Sequence, residues 1–390
     1  MAGRNVQLKD DINPTLLALT SSALLLPAYQ GAQADAPPDY TEMGVRYSKY
    51  KEDDIQGAKS FGGGSERYEI DIAQFHLIAP VADSWSVALD VAWEDMSGAS
   101  PWFVGESANG DPKVVMSGAS IEDTRTEVTV ATRYYYDRGN AGISYTYSDE
   151  DDYQSDAVGL DVSFNSEDGM RTYTAAFSAS NDDIDPTQGA VPTNTLGDEK
   201  DIRSGFLGVS QIISKNAIVR FGLGYTYRDG YLTDPYKNRD SRPDEREEWT
   251  FSTGYRRFFE DHDAALHMDY RYFDDDWDVV SHTLDVAWHQ NLGDDVALVP
   301  FVRYYTQDEA EFFSNIADTT QRYYADDYRL SAFGAFTYGM RLRRDIGNWS
   351  LNLTGERYKT DESWGLYSGD ESPGLVDFWR YSFGVDYIFK

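Results

Sequence analysis

The last eleven residues, RYSFGVDYIFK from Arg380 to Lys390, place Tyr381, Phe383, Val385, Tyr387 and Phe389 at every second position. Ser382, Gly384 and Asp386 take the other parity, which only Ile388 interrupts. A period of two puts the apolar set on one face of a β-strand. The alternation recurs upstream. In SWSVALDVAWED, Trp85, Val87, Leu89, Val91 and Trp93 oppose Ser86, Ala88, Asp90, Ala92 and Glu94. In VRFGLGYTYRD, Val219, Phe221, Leu223, Tyr225 and Tyr227 oppose Arg220, Gly222, Gly224 and Thr226. RLSAFGAFTYGMRLRR alternates from Leu330 to Leu342. Roughly sixteen such segments begin near residues 40, 66, 84, 124, 140, 153, 170, 201, 216, 246, 262, 278, 295, 327, 347 and 377. Most run for about 9–13 residues, near the length of a tilted membrane strand.

The links between these segments alternate as well. Short turns such as PVADS, DRGN, SEDG, SKN, EDH, LGDD and DIGN take every second place. Between them stand longer polar, acidic links, including KEDDIQGAKSFGGGS, the stretch from Met96 to Asp123, and DESWGLYSGDESPG. Two links on that side, DEDDY and DDDWD, are short. Short turns at one rim and long loops at the other are the signature of a transmembrane barrel. The predicted fold is therefore all-β: a closed antiparallel transmembrane barrel of about sixteen strands. An even strand number leaves both chain ends at the short-turn rim. The short turns are then periplasmic, as at Asn140, Asp168 and Asp345, and the long links, as at Gly57–Gly64 and Asp361–Gly374, extracellular.

Composition changes the picture at three points. The chain has 390 residues, 34 Lys plus Arg, 67 Asp plus Glu and a formal net charge of -33. That charge repels phosphate backbones, so nucleic acid is excluded as a partner. An aromatic content of 15% inside alternating segments separates it from disordered acidic chains. The absence of cysteine removes disulfides and thiolate-bound zinc or iron–sulfur clusters. At the N-terminus, Arg4 and Lys9 precede the apolar run PTLLALTSSALLLPA, and Ala32 and Ala34 fit a small-x-small cleavage site. Residues 1–34 read as a signal peptide and 35–390 as the barrel, with export to the cell outer membrane.

The second parity carries the candidate chemistry. Asp90, Arg133, Asp161, Arg220, Arg256, His267, Asp269, Arg271, Asp285, Arg303 and Arg341 all fall on it. A dry sandwich core would have to pair every one of these charges, whereas a wet lumen tolerates them. They are the predicted lumen residues, either a network that seals the barrel or a transverse field around an eyelet. The Met96–Asp123 link, with its apolar SPWFVGES, is the candidate constriction. Trp93, Tyr134, Tyr136, Tyr147, Tyr227, Tyr272 and Tyr304 are expected in an aromatic belt at the loop-side interface.

With these features the chain resembles bacterial outer-membrane barrels, whose final strand commonly ends in an aromatic residue read by the barrel-assembly machinery. Tyr381, Phe383, Tyr387 and Phe389 carry that likeness as an assembly signal, with Lys390 following the last aromatic. In layout the chain is also similar to an uncharacterised proteobacterial barrel family with a leader, acidic loops and an aromatic final strand. The resemblance implies outer-membrane lipids and the assembly machinery as partners.

No enzyme or cofactor is expected. There is no G-x-S-x-G elbow and no H-E-x-x-H helix, and FGGGSE lacks the lysine of a P-loop. His267 and His289 share inward parity near Asp269 and Asp285, but no serine is distinguished as a nucleophile. The acidic runs Asp149–Asp152, Asp182–Asp185 and Asp274–Asp276 read as a solvated rim, with weak divalent-cation binding as the alternative. The expected function is a channel passing small solutes by diffusion, with a preference for cations. The alternative is a non-catalytic accessory barrel that binds a periplasmic or surface partner.

Overall fold

A computed structural model of the chain describes residues 36–61, 66–99, 101–116, 121–187, 193–369 and 371–390. The predicted signal peptide, with Ala32 and Ala34, lies outside these residues, as do Gly62–Ser65 of the glycine-rich loop. The wall begins with β1 (Thr41–Glu52), β2 (Glu69–Ala82), β3 (Trp85–Gly98) and β4 (Ile121–Tyr136). It continues through β5 (Gly139–Asp149), β6 (Tyr153–Asn165), β7 (Arg171–Ile184) and β8 (Asp198–Ser214). Next come β9 (Ala217–Gly230), β10 (Glu245–Phe259), β11 (Ala264–Asp275) and β12 (Val280–Asn291). The last four are β13 (Val296–Gln307), β14 (Phe333–Ile346), β15 (Trp349–Asp361) and β16 (Phe378–Phe389).

These sixteen strands form one closed antiparallel barrel, each paired with its neighbours in sequence. Closure comes from β1 and β16, in register from Thr41–Phe389 to Glu52–Phe378. No backbone edge is left in the wall, the condition that a sheet must meet to cross lipid. One predicted start moves by more than three residues. The segment expected from residue 327 enters the wall only at Phe333. Asp327 instead accepts from the backbone N–H of Arg329 and caps a short 3-10 turn, which holds Tyr328–Leu330 among the loops.

The two faces of the wall meet different surroundings. Val45, Val130, Leu160, Leu207, Met340 and Leu353 stand on the outward parity, each half exposed or more. A continuous apolar belt of this kind is unfavourable in water and matched by hydrocarbon. Aromatic residues flank it at both ends, which corrects the single predicted belt. Trp93, Tyr147, Tyr227, Tyr272 and Tyr304 lie toward the long loops. Tyr134 and Tyr136 end β4 at the opposite rim, where Trp85 packs on Tyr134 with ring centroids 4.9 Å apart. Trp349 and Tyr387 make a similar pair there at 4.6 Å.

Inside the loop-side half, Tyr50, Ile70, Ile72, Phe333, Ala335, Tyr358 and Phe378 form a buried apolar cluster with Val376. Tyr328 and Leu375 pack against it from the loops.

The terminal strand supplies closure and part of the short-turn aromatic girdle, so truncation should hurt assembly first. Removing Tyr387–Lys390 takes away the register partners of Thr41, Glu42 and Met43 together with the ring on Trp349. The heat-modifiable, folded fraction in membranes should fall several-fold while total synthesis stays constant. Unchanged gel migration and membrane yield would refute this.

Candidate functional site: a charged interior and a loop-covered mouth

The inward face of the wall is built around ion pairs, and several skip a strand. Arg133 on β4 donates to both oxygens of Asp161 on β6, at 2.7 and 2.8 Å. Gly142 on β5 lies in register with both residues. A Cβ there would come within 2.6 Å of Asp161 and 2.7 Å of Arg133. The same arrangement joins Arg220 on β9 to Asp269 on β11 at 3.4 Å, across Gly254 on β10. His76 and Asp386 approach to 3.7 Å over Gly44. In each case a glycine inside a strand opens the space through which two longer side chains meet.

Every predicted lumen residue stands on the inward parity. Asp269 also accepts from Arg256 at 2.7 Å, and Asp285 from Arg303 at 2.6 Å. Arg220, Gly254, Asp269, Asp285 and Arg303 make one continuous row across five strands. The His267 and His289 rings lie 3.9 Å apart. Arg341 sits over the Phe301 ring at 4.7 Å and Arg271 over Phe273 at 5.9 Å. Asp90 is opposite His76 in the register.

The pairs Arg380–Glu356 at 3.0 Å and Arg228–Glu248 at 3.0 Å were not among the predicted residues. Their signal was present, because both acids keep the inward parity of their strands. By contrast, β7 to β9 turn Thr174, Ala176, Ser178, Ser204, Gly208, Ser210, Gly222 and Gly224 inward. Phe206 lies across this sector, so that a Cβ on Gly222 would reach it at 2.7 Å.

Six long links fold against one another at the loop rim. Residues 231–244 form the hub. Lys237 donates to the carbonyl of Pro101 at 2.7 Å, and Arg239 to that of Val104 at 3.1 Å. Arg242 donates to Asp327 at 3.0 Å, and Arg329 to Asp234 at 2.5 Å. Asn194 donates through its backbone to Pro235 at 2.9 Å. The remaining contacts complete a circuit. Phe61 N–H meets the Val114 carbonyl at 2.9 Å, Asn315 donates to the Glu371 carbonyl at 3.1 Å, and Arg67 to that of Gly374 at 3.0 Å. The two short links join as well, since Glu311 donates to the Trp277 carbonyl at 2.9 Å and Asp185 to that of Asp152 at 2.9 Å.

This arrangement revises the expected constriction. The Met96–Asp123 link shortens to residues 99–120, because β3 and β4 extend to Gly98 and from Ile121. Within it, Pro101–Glu106 pairs with Pro112–Met116. Val104 and Val114 are buried there, and the Val104 N–H meets Asp326 at 2.9 Å. Its contacts tie it to the other loops as part of a lid.

The acidic runs are likewise only partly a solvated rim. Asp182 and Asp183 belong to β7, and Asp274 and Asp275 to β11, so alternation turns one of each pair inward. Asp182 is fully buried and accepts from Ser155 at 2.7 Å. Asp275 receives the backbone N–H groups of Trp277 and Val279 at 3.0 and 2.8 Å and is paired with Arg246. Asp123, Glu150 and Asp152 bring carboxylate oxygens within 4.8 Å of one another. Arg125 stands 3.5 Å from Glu150, so a side-chain cation already faces that group.

Burial sets the electrostatics of the lid. It would raise the Asp327 carboxyl, but Arg329, Lys237 and Arg242 hold that group well below the usual range. Asp326 next to it goes the other way: burial pushes it up to about 7, against the opposing pull of the Val104 N–H and Lys237. Burial also lifts Glu150 to about 7.

A closed sixteen-stranded wall with an apolar exterior, aromatic girdles and a charged interior defines a β-barrel of the bacterial outer-membrane type. The sequence matches the family described as "Protein of unknown function (DUF3570)" over residues 16–375, and the chain belongs to that family. No curated protein matches it. Among solved structures, CdiB from Acinetobacter baumannii is similar at 10% identity and TM-score 0.52, over 92% of this chain and 61% of that one. The siderophore receptor PirA from Pseudomonas aeruginosa aligns at 10% identity and TM-score 0.42, over 83% of this chain and 56% of the receptor. A TodX monoaromatic hydrocarbon channel mutant, deltaS2S3, aligns at 11% identity and TM-score 0.43, over 90% of each chain. This chain thus spans about three fifths of the length of CdiB, and the likeness is one of fold.

Two substitutions test the lid. Asp327→Asn removes the charge shared by Arg242 and Arg329, and breaking a buried pair costs about 3–5 kcal/mol. The long loops should become protease-sensitive while the wall keeps its heat-modifiable migration. The pH dependence follows from Asp326. An open lid returns its carboxyl toward 3.8 while the closed lid holds it near 7, so between those values the closed form binds more protons. Lid stability therefore rises as pH falls through about 7 and is lost as pH climbs past it. Loop proteolysis should be slower at pH 5.5 than at pH 8, and Asp326→Asn should shallow that difference. An equal difference in the variant would show that Asp326 has no part in it.

Proposed function

We propose that this protein is an outer-membrane channel for small solutes, with its long loops outside, its short turns in the periplasm and a mouth that the folded loops cover at rest. The observation that carries the reading is the asymmetry of the inward face. Small residues on β7 to β9 leave space beside a wall of paired charges, an arrangement suited to a water-filled path. The ion pairs fix guanidinium and carboxylate groups at defined heights, so a passing solute meets an ordered field rather than mobile side chains. A net charge of -33 draws cations toward the mouth, which favours them over anions of equal size. The channel is non-enzymatic in this reading.

The lid itself favours a second reading, a closed accessory barrel whose folded loops present a surface to a partner. Planar-bilayer recording separates the two. The channel reading expects discrete openings that become more frequent in Asp327→Asn, with reversal potentials favouring cations. A folded barrel that stays silent across voltage, salt and this variant would leave the accessory role.

Orientation has its own test. An epitope inserted at Asp318–Thr320, in the link after β13, should bind antibody on intact cells. The same epitope at Asp168, between β6 and β7, should need permeabilisation. Reversed labelling would invert the topology.

A further inference from the structure

Outside the barrel, β5 to β10 enclose an apolar groove of about 670 Å³ on the outward face. Its floor includes Ala175 and Gly205, and its sides include Phe177, Leu207, Leu223 and Trp249. The registers Phe177–Gly205 and Ala175–Leu207 set each small residue beside a large one, which makes the depression. A Cβ on Gly205 would meet nothing within 4 Å, so the space above it is open. Two residues nearer the loops on the same strand, Arg203 turns outward with 63% of its side chain exposed, in a loose pair with Asp201 at 3.8 Å that leaves most of its guanidinium donors open to solvent. It lies in register with Ala179 and Tyr227. In the loop-side half of β7 to β10 the other charged outward residues are acids: Asp183, Glu199, Asp201, Asp229, Glu245 and Glu247.

We propose that this groove holds one acyl chain of a phosphate-bearing membrane lipid, with its phosphate against Arg203. The inference rests on the reading that the barrel spans the outer membrane. The groove lies within the exposed apolar belt, where acyl chains are the surrounding solvent, and it replaces the flat outer wall with a concave seat. Tyr225 and Trp249, with ring centroids 4.7 Å apart, line its loop-side end at the level where aromatic rings meet headgroups. Arg203 then supplies the one positive charge in an otherwise acidic stretch, and a guanidinium matches phosphate oxygens in geometry as well as charge. Without it, this stretch would offer an anionic headgroup carboxylates alone.

The experiment uses the full-length barrel, purified in detergent from membranes and confirmed as folded by heat-modifiable migration. Phosphatidylglycerol and a diacylglycerol with the same chains are titrated separately, and bound lipid is counted by native mass spectrometry. The wild type should retain phosphatidylglycerol at least tenfold better than diacylglycerol. Gly205→Leu should reduce retention of both at least tenfold, with Ala175→Leu as the equivalent change if the first fails to assemble. Arg203→Gln should bring phosphatidylglycerol down to the diacylglycerol level and leave diacylglycerol unchanged. Inorganic phosphate at millimolar concentration should not displace the lipid; displacement would reduce the site to a phosphate contact and overturn the acyl seat. Equal retention of both lipids by all proteins would overturn the proposal while leaving a membrane barrel intact. A protein that never enters the membrane fraction would instead defeat the reading beneath it.

Discussion

Everything in this structure depends on the pairing of β1 with β16. A sheet in lipid cannot leave N–H and C=O groups unpaired, because no water is present to receive them. The first and last strands of the chain must therefore find each other across more than three hundred residues of sequence. Their register runs through twelve pairs, from Thr41–Phe389 to Glu52–Phe378. Once the ladder is closed, the outer face is committed to hydrocarbon. The inner face is then free to be polar, and its charges follow from closure.

Closure also crowds the inside, and glycine relieves the crowding. A glycine within a strand ordinarily weakens it. Gly142 and Gly254 instead lie beneath the Arg133–Asp161 and Arg220–Asp269 pairs, each of which reaches over an intervening strand. Such a pair links the two strands on either side of the one it crosses. The small-residue sector on β7 to β9 is the complement of this arrangement. There the inward positions between the ion pairs are small residues, with Phe206 lying across them.

The wall was legible in the sequence because every wall strand repeats the same two-residue alternation, and sixteen repetitions remove the ambiguity of any one. Strand starts were placed closely except at residue 327, where alternation continued through Leu330 and Ala332 into a loop. Period two reports which side chains are apolar. It does not report that Asp327 and Arg329, two residues apart, would be drawn into contacts with Arg242 and Asp234 from another link. For the same reason the acidic runs at Asp182 and Asp274 were read as solvated links, although β7 and β11 extend through them. The lumen residues were recognisable by parity, whereas their pairing was not. A skipped-strand pair depends on register and on the glycine between, and neither can be read from one strand alone. The lid was the least legible part, since its contacts join links far apart in the chain.

Wall and lid differ in how they resist change. In the wall, opening one strand exposes a whole ladder of backbone groups to lipid, so the structure yields only as a unit. In the lid, the buried Asp240 and Asp327 and the partly exposed Asp234 are set against Lys237, Arg242 and Arg329. Breaking that network in place would be costly, but moving it into water is another matter. Each charge regains hydration as it leaves, which offsets much of the attraction that is lost. The lid can therefore hold a defined shape and still separate along a path that wets its charges, while the wall beneath keeps every strand paired. That difference makes the loop side, and not the wall, the less costly place for this structure to open.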